Sequence, residues 1–163
     1  MNKTLIVILL IIFGLIGLMW WGSLIQKSTV ANTDAKSLLT ASEKLYDFGT
    51  ISMKNGNVTK DFTIINSENT DIFIPSIVTS CMCTKAFIIE PSGLTKGPFG
   101  MPGMGYVPPA NETIKAGESL IIRVVYDPNA HGPAGVGPIN RLVILTDKFG
   151  GKLQFEIKAL VTP

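Results

Sequence analysis

The chain has 163 residues, of which 46% are hydrophobic and 16% charged, and its net charge is +2. That balance suits one globular domain plus a membrane segment. There is no Lys/Arg cluster interleaved with aromatics, which argues against a nucleic-acid partner, and no internal repeat or long run of like charge is visible.

The first element is apolar. Leu5 to Ile25 contains no charged residue, and as a helix it would span about 32 Å, the thickness of a bilayer core. Lys3 precedes it, and Trp20 and Trp21 sit near its outer end, where indoles favour the membrane interface. A cleaved signal peptide is the competing reading. The apolar part of a signal peptide normally runs only about 7–15 residues, and Thr29-Val30-Ala31 is a poor small-x-small cleavage site. Residues 1–26 are therefore expected to form an uncleaved, single-pass anchor in the cell membrane. Lys3 favours the N-terminus inside, although Lys27 follows the span closely. The C-terminal domain is accordingly expected outside the cytoplasm. Residues 27–41, rich in Ser, Thr, Ala, Asn and Lys, read as a linker.

Residues 42–163 read as all-β. Leu45–Ile51 is a first strand, with Tyr46 and Phe48 sharing a face. Asn55-Gly56 is a strong hairpin-turn signal. Val58–Asn66 alternates, with Val58, Phe62 and Ile64 on one face. Ile72–Thr79 is apolar on both faces, and its Pro75 suggests an edge position or a bulge. Lys85–Glu90 is a short fourth strand. A Gly/Pro/Met-rich loop then runs from Pro91 to Ala116. Ser119–Tyr126 resumes the alternation, and a second Gly/Pro loop over Asp127–Pro138 carries His131, the only histidine. Asn140–Thr146 and Leu153–Val161 close the domain around Phe149-Gly150-Gly151. Six or seven short strands with regularly spaced turns predict an immunoglobulin-like β-sandwich, preceded by one transmembrane helix.

Both cysteines lie in Ser80-Cys81-Met82-Cys83-Thr84. On an extended strand Cys81 and Cys83 would face the same way. Two thiols on one face make a bidentate site for a soft metal. They make an awkward disulfide, because residues i and i+2 of an extended chain lie near or beyond the usual Cα–Cα limit of about 6.8 Å; a local turn would bring them closer. The plainer alternative is that both are small buried apolar residues.

Three stretches together resemble one bacterial family. They are Tyr46-Asp47-Phe48-Gly49-Thr50-Ile51, then Thr79-Ser80-Cys81-Met82-Cys83-Thr84, then Ile114-Lys115-Ala116-Gly117-Glu118 leading to Tyr126-Asp127-Pro128. The family is the domain of unknown function 1573, similar in fold to the Hydin-type (ASH) immunoglobulin-like domains. The resemblance covers about residues 42–163 and implies an exported or membrane-anchored sandwich without an assigned activity. This chain departs from the family pattern at Met82, where glycine is usual, and in the length of the loop from Pro91 to Ala116.

If strands alternate up and down, Met53, Cys81, Cys83 and His131 share one pole. The loop carrying Met101 and Met104 starts at the other pole and would have to fold back. Cysteine, methionine and imidazole together suit Cu(I) better than zinc. Cys81, Cys83, Met101, Met104 and His131 are therefore the candidate metal ligands. For the methionines the plainer reading is apolar plugging of the loop; for His131 it is a hydrogen bond within a turn.

Three functions compete. The first is a membrane-anchored binding or scaffold module with an unknown protein partner and no chemistry of its own. The second is an extracytoplasmic copper-binding protein. The third is a thiol–disulfide or other enzyme. No Cys-x-x-Cys, Gly-x-Ser-x-Gly or phosphate loop is present, so no catalytic residue is assigned and a non-enzymatic role is expected. Metal content separates the first two.

Overall fold

A computed structural model describes residues 36–90 and 92–163, and the expected membrane helix over Leu5–Ile25 lies outside the described residues. The strands in chain order are β1 (Thr40–Ala41), β2 (Leu45–Ser52), β3 (Val58–Ile65), β4 (Ile72–Ile74), β5 (Ser76–Thr79), β6 (Thr84–Ile89), β7 (Thr95–Phe99), β8 (Glu112–Ile114), β9 (Ser119–Tyr126), β10 (Gly137–Thr146) and β11 (Lys152–Thr162). One sheet has the order β1-β3-β9-β6-β7 and the other β2-β11-β10-β5, with β4-β8 as a separate two-stranded ribbon. Two such sheets face to face, with the chain crossing between them, make an immunoglobulin-like sandwich.

Strand alternation sets the core. Phe62 and Ile64 of β3, Leu120, Ile122, Val124 and Tyr126 of β9, and Leu153, Phe155 and Ile157 of β11 are all buried. The rings of Phe62 and Phe155 lie 4.9 Å apart between centroids and join the two sheets. Tyr46 and Phe48 share a face as expected, edge to face at 4.9 Å.

Several expected elements differ. Pro75 lacks an amide hydrogen and stops the ladder. The predicted strand over Ile72–Thr79 therefore becomes β4 and β5, which belong to different sheets. Asn55-Gly56 does turn the chain, with Gly56 at φ 73°. The turn joins the two sheets and closes no hairpin, because β2 pairs with β11 in parallel while β3 pairs with β9. The region read as one long loop from Pro91 to Ala116 contains β7 and β8. At the N-terminal edge, residues read as the end of a linker pack on the domain. Ser37 and Leu39 are buried, Lys36 bridges to Lys152, and β1 pairs with β3. Leu39 is the only strongly apolar core residue in that segment, so its sequence has no period to signal the strand.

Candidate functional site

The two cysteines sit where the chain leaves one sheet for the other, between β5 and β6. They occupy a turn and not an extended strand. The Thr84 amide donates to the Cys81 carbonyl at 3.1 Å and closes it. The Thr79 hydroxyl is buried and lies 3.0 Å from the Cys81 carbonyl and 3.1 Å from that of Thr84. Ser80 holds the turn against β10, because its amide donates to the Leu142 carbonyl and its hydroxyl accepts from the Leu142 amide. The turn shortens the Cα separation of Cys81 and Cys83 to 5.3 Å, and their sulfurs are joined as a disulfide. That separation falls inside the usual disulfide range of about 4.4–6.8 Å. The extended geometry expected from alternation, which disfavoured a disulfide, is thus replaced.

The two sulfurs have different surroundings. Cys83 is 2% exposed and belongs to the core cluster, whereas Cys81 only packs against its edge. Met82 points outward and is exposed. Around Cys81, the Nε2 atom of His131 lies 3.2 Å from Sγ. The amide of Cys83 donates to the same sulfur at 3.4 Å. Around Cys83, the Nε–H of Arg141 donates to Sγ at 3.2 Å. One sulfur thus meets an imidazole and the other a permanent cation.

His131 is brought there by the turn that follows β9. The Asp127 amide donates to the Cys83 carbonyl at 2.9 Å, tying the start of this turn to the cysteines. The Asp127 carboxylate accepts from the Asn129 amide at 2.8 Å, an Asx turn. The Asn129 side chain donates to the Met53 carbonyl, also at 2.8 Å. Met53, the cysteine turn and His131 are thereby at one end of the sandwich, as the strand count predicts. The ligand atoms of Cys81, Cys83 and His131 all lie within 4.8 Å of one another.

Met101 and Met104 occupy the loop after β7. Because β7 runs antiparallel to β6, it returns the chain to the cysteine end, and the Gly100 carbonyl accepts from the Thr79 amide at 3.0 Å. The loop turns at Met101, whose carbonyl accepts from the Met104 amide at 3.3 Å. Met104 is 52% exposed. The structure groups three of the five candidate ligands by contact and leaves the two methionines on the neighbouring loop.

Arg141 is the residue that sequence reading missed. Its signal was positional. Ile139, Val143 and Leu145 are buried on one register of β10, and Arg141 falls on that same register. A charge at an inward position is a departure that needs a partner. Beside it lies a hollow of about 280 Å³, lined by His131 and Arg141 together with Ala134, Val136, Pro138 and Ile139.

Residues 39–95 match a family described as a protein of unknown function (DUF1573). The match takes in the cysteine turn and ends before His131 and Arg141. No curated protein matches the chain. Among solved structures, a protein of unknown function from Porphyromonas gingivalis W83 is similar at 13% identity, over 82% of this chain and 51% of its own, with a TM-score of 0.55. This chain therefore spans about half the length of that protein. A family 123 glycoside hydrolase from Clostridium perfringens is similar at 8% identity, over 73% of this chain and 23% of its own, with a TM-score of 0.52. The ASH/PapD-like domain 7 of human CEP192 is similar at 11% identity, over 83% of this chain and 92% of its own, with a TM-score of 0.48. Likeness at these identities concerns the fold alone.

Proposed function

We propose that this chain is an immunoglobulin-like binding module whose ligand is a soft monovalent metal ion, Cu(I), held in the reduced state of the cysteine pair by Cys81, Cys83 and His131. The observation that carries this reading is the His131 Nε2 atom 3.2 Å from Cys81 Sγ, which with the paired sulfurs puts all three ligand atoms within 4.8 Å of one another in the oxidised state. Thiolate and imidazole are soft enough to select Cu(I). Charge counting favours it as well. Two thiolates and Cu(I) leave one negative charge, which Arg141 neutralises at 3.2 Å from Cys83 Sγ. A divalent ion at the same place would leave an excess positive charge next to a guanidinium. Zinc would also want a fourth ligand. Met101 is the candidate for an outer thioether ligand, on a loop that begins beside Thr79.

The apolar run over Leu5–Ile25 supports a membrane anchor that presents the module outside the cytoplasm. Protease added to intact spheroplasts is then expected to remove the domain. Protection of the domain would place it on the cytoplasmic side.

The test of the metal reading uses the full chain, reduced with a phosphine under anaerobic conditions and titrated with Cu(I) against a chromophoric chelator. One equivalent should bind, with sulfur and nitrogen neighbours in X-ray absorption. Cys81→Ser combined with Cys83→Ser should abolish binding, and His131→Ala should weaken it. A reduced wild-type chain that takes up no Cu(I) would overturn the metal reading and leave a protein partner as the ligand of the module.

A further inference from the structure

We infer a second activity for the same turn, independent of any metal: thiol–disulfide exchange with a small thiol that carries a carboxylate. The disulfide links residues only two apart in sequence. A ring this short removes little chain entropy, so cross-linking the unfolded state is a weak reason for the bond to exist. Its surroundings point instead to chemistry with a direction. Cys83 is buried in the core and Cys81 lies at the core's edge, so an incoming thiolate can reach only Cys81. The bond that then breaks leaves its electron pair on Cys83. That sulfur already accepts the Nε–H of Arg141 at 3.2 Å, so a permanent cation awaits the leaving thiolate. Leaving-group stabilisation of this kind speeds exchange.

The hollow beside the pair says which thiol. His131 and Arg141 line it together with Ala134, Gly135, Val136, Pro138 and Ile139, and no carboxylate is among them. An acidic thiol of low molecular weight fits that lining: its carboxylate meets the guanidinium while its sulfur meets Cys81.

The thiolate RS⁻ attacks Cys81 Sγ, forms a mixed disulfide there and releases Cys83 as a thiolate. A second RS⁻ attacks the R sulfur of that mixed disulfide, giving RSSR and releasing Cys81. Two RSH molecules lose two electrons and two protons in all. The protein disulfide gains both and becomes a dithiol.

The experiment uses the oxidised full chain in a metal chelator, so that a failure of copper binding has no bearing on it. Reduction by glutathione, an acidic thiol, is compared with reduction by cysteamine, a cationic one. After correction for thiolate fraction, glutathione should react about ten-fold faster or more. Val136→Glu, an exposed position on the hollow, should slow glutathione and not cysteamine, without a risk to folding. Glutathione disulfide added to reduced Cys83→Ser should trap a mixed disulfide at Cys81 about ten-fold faster than Cys81→Ser traps one at Cys83. Equal rates for the two thiols, indifference to Val136→Glu, or equal trapping at the two cysteines would each overturn the proposal.

Discussion

The guanidinium of Arg141 meets the sulfur of Cys83 at 3.2 Å, bringing the one charged residue on the inward register of β10 to a sulfur-bearing residue that is only 2% exposed. The contact is fixed from both sides. Ser80 exchanges two hydrogen bonds with Leu142, the next residue along β10. The Arg141 Nη1 atom also donates to the Asn140 carbonyl at 2.9 Å, which limits the fork's freedom. The head group is therefore held where negative charge on Cys83 would form.

Removing that charge should be felt by the metal. Arg141→Gln keeps a donor of similar reach but leaves the Cu(I)-dithiolate site one charge negative in a partly dry place. Cu(I) affinity should fall about ten-fold or more. Arg123→Gln is the control, since Arg123 pairs with Asp61 on the outer face of β3 and β9, and affinity should not change. Competition titration of both variants checks this. Equal affinities for Arg141→Gln and wild type would remove Arg141 from the site.

The core can be tested by register. Phe62 and Phe155 are 1% exposed, and their rings join the two sheets. Phe62→Ala or Phe155→Ala should each cost about 3–5 kcal/mol in urea unfolding. Gln154→Ala, the exposed neighbour of Phe155, should stay within about 0.5 kcal/mol. Comparable losses at Gln154 and Phe155 would contradict the register of β11.

Those strands were legible because their alternation is clean. β9 and β11 bury every second residue, β3 does so in its second half, and hydrophobic period is a local signal. What escaped was non-local. Nothing within Ile72–Thr79 says that its halves join different sheets; Pro75 marks only a break. Thr95–Phe99 looks like loop because Gly97 and Pro98 dominate it, yet it is held as an edge strand by pairing with β6. The site shows the same division. Cys81, Cys83 and His131 stand out by residue type, and strand counting placed them together. Arg141 could be suspected only once the inward register of β10 was known. The turn at Cys81–Thr84 depends on the side chains of Thr79 and Ser80, which alternation alone does not reveal.

Stability should respond to pH at two groups. The Asp61 carboxyl is held below its ordinary value, first by the hydrogen bond from Arg123, with burial opposing and the charges of Arg123 and Lys60 assisting. The native state thus binds that proton less readily than the unfolded chain. Its contribution is present above about pH 4 and is lost as pH falls through the lowered pKa. The pair is half exposed, so the effect is modest. The Tyr126 phenol is pushed up, first by burial, with Arg141 opposing and Asp127 adding. Its contribution is complete below about pH 10 and is lost as pH rises through the raised pKa. Urea midpoints measured across pH should fall at both ends. Asp61→Asn should flatten the acid limb and Tyr126→Phe the alkaline one. An unchanged acid limb in Asp61→Asn would show that other carboxylates control it.

The N-terminal edge depends on a buried carboxylate. Asp147 is 2% exposed. One of its oxygens accepts from the amides of Phe149 and Gly151, each at 2.9 Å, and shapes the turn between β10 and β11. Its other oxygen accepts from the Ser37 hydroxyl, 110 residues away in sequence. That bond positions Ser37, whose own amide donates to the Lys152 carbonyl at 3.2 Å, and sets Leu39 into the core. There is no room to spare: a Cβ at Gly151 would come 2.6 Å from Asp147 Oδ2 and 2.7 Å from Ser37 Cα. Asp147→Ala strands the Gly151 amide and the Ser37 hydroxyl together, and should cost about 3 kcal/mol. Gly151→Ala keeps every hydrogen-bonding group but must push Ser37 away. It should therefore release residues 36–41 while β9 and β11 stay protected, a local opening and not a global one. Hydrogen exchange at the Leu39 and Phe155 amides separates the two outcomes. Loss of protection at Leu39 alone is expected for Gly151→Ala. Equal loss at both amides would mean that the N-terminal edge is integral to the sandwich and not a segment latched onto it.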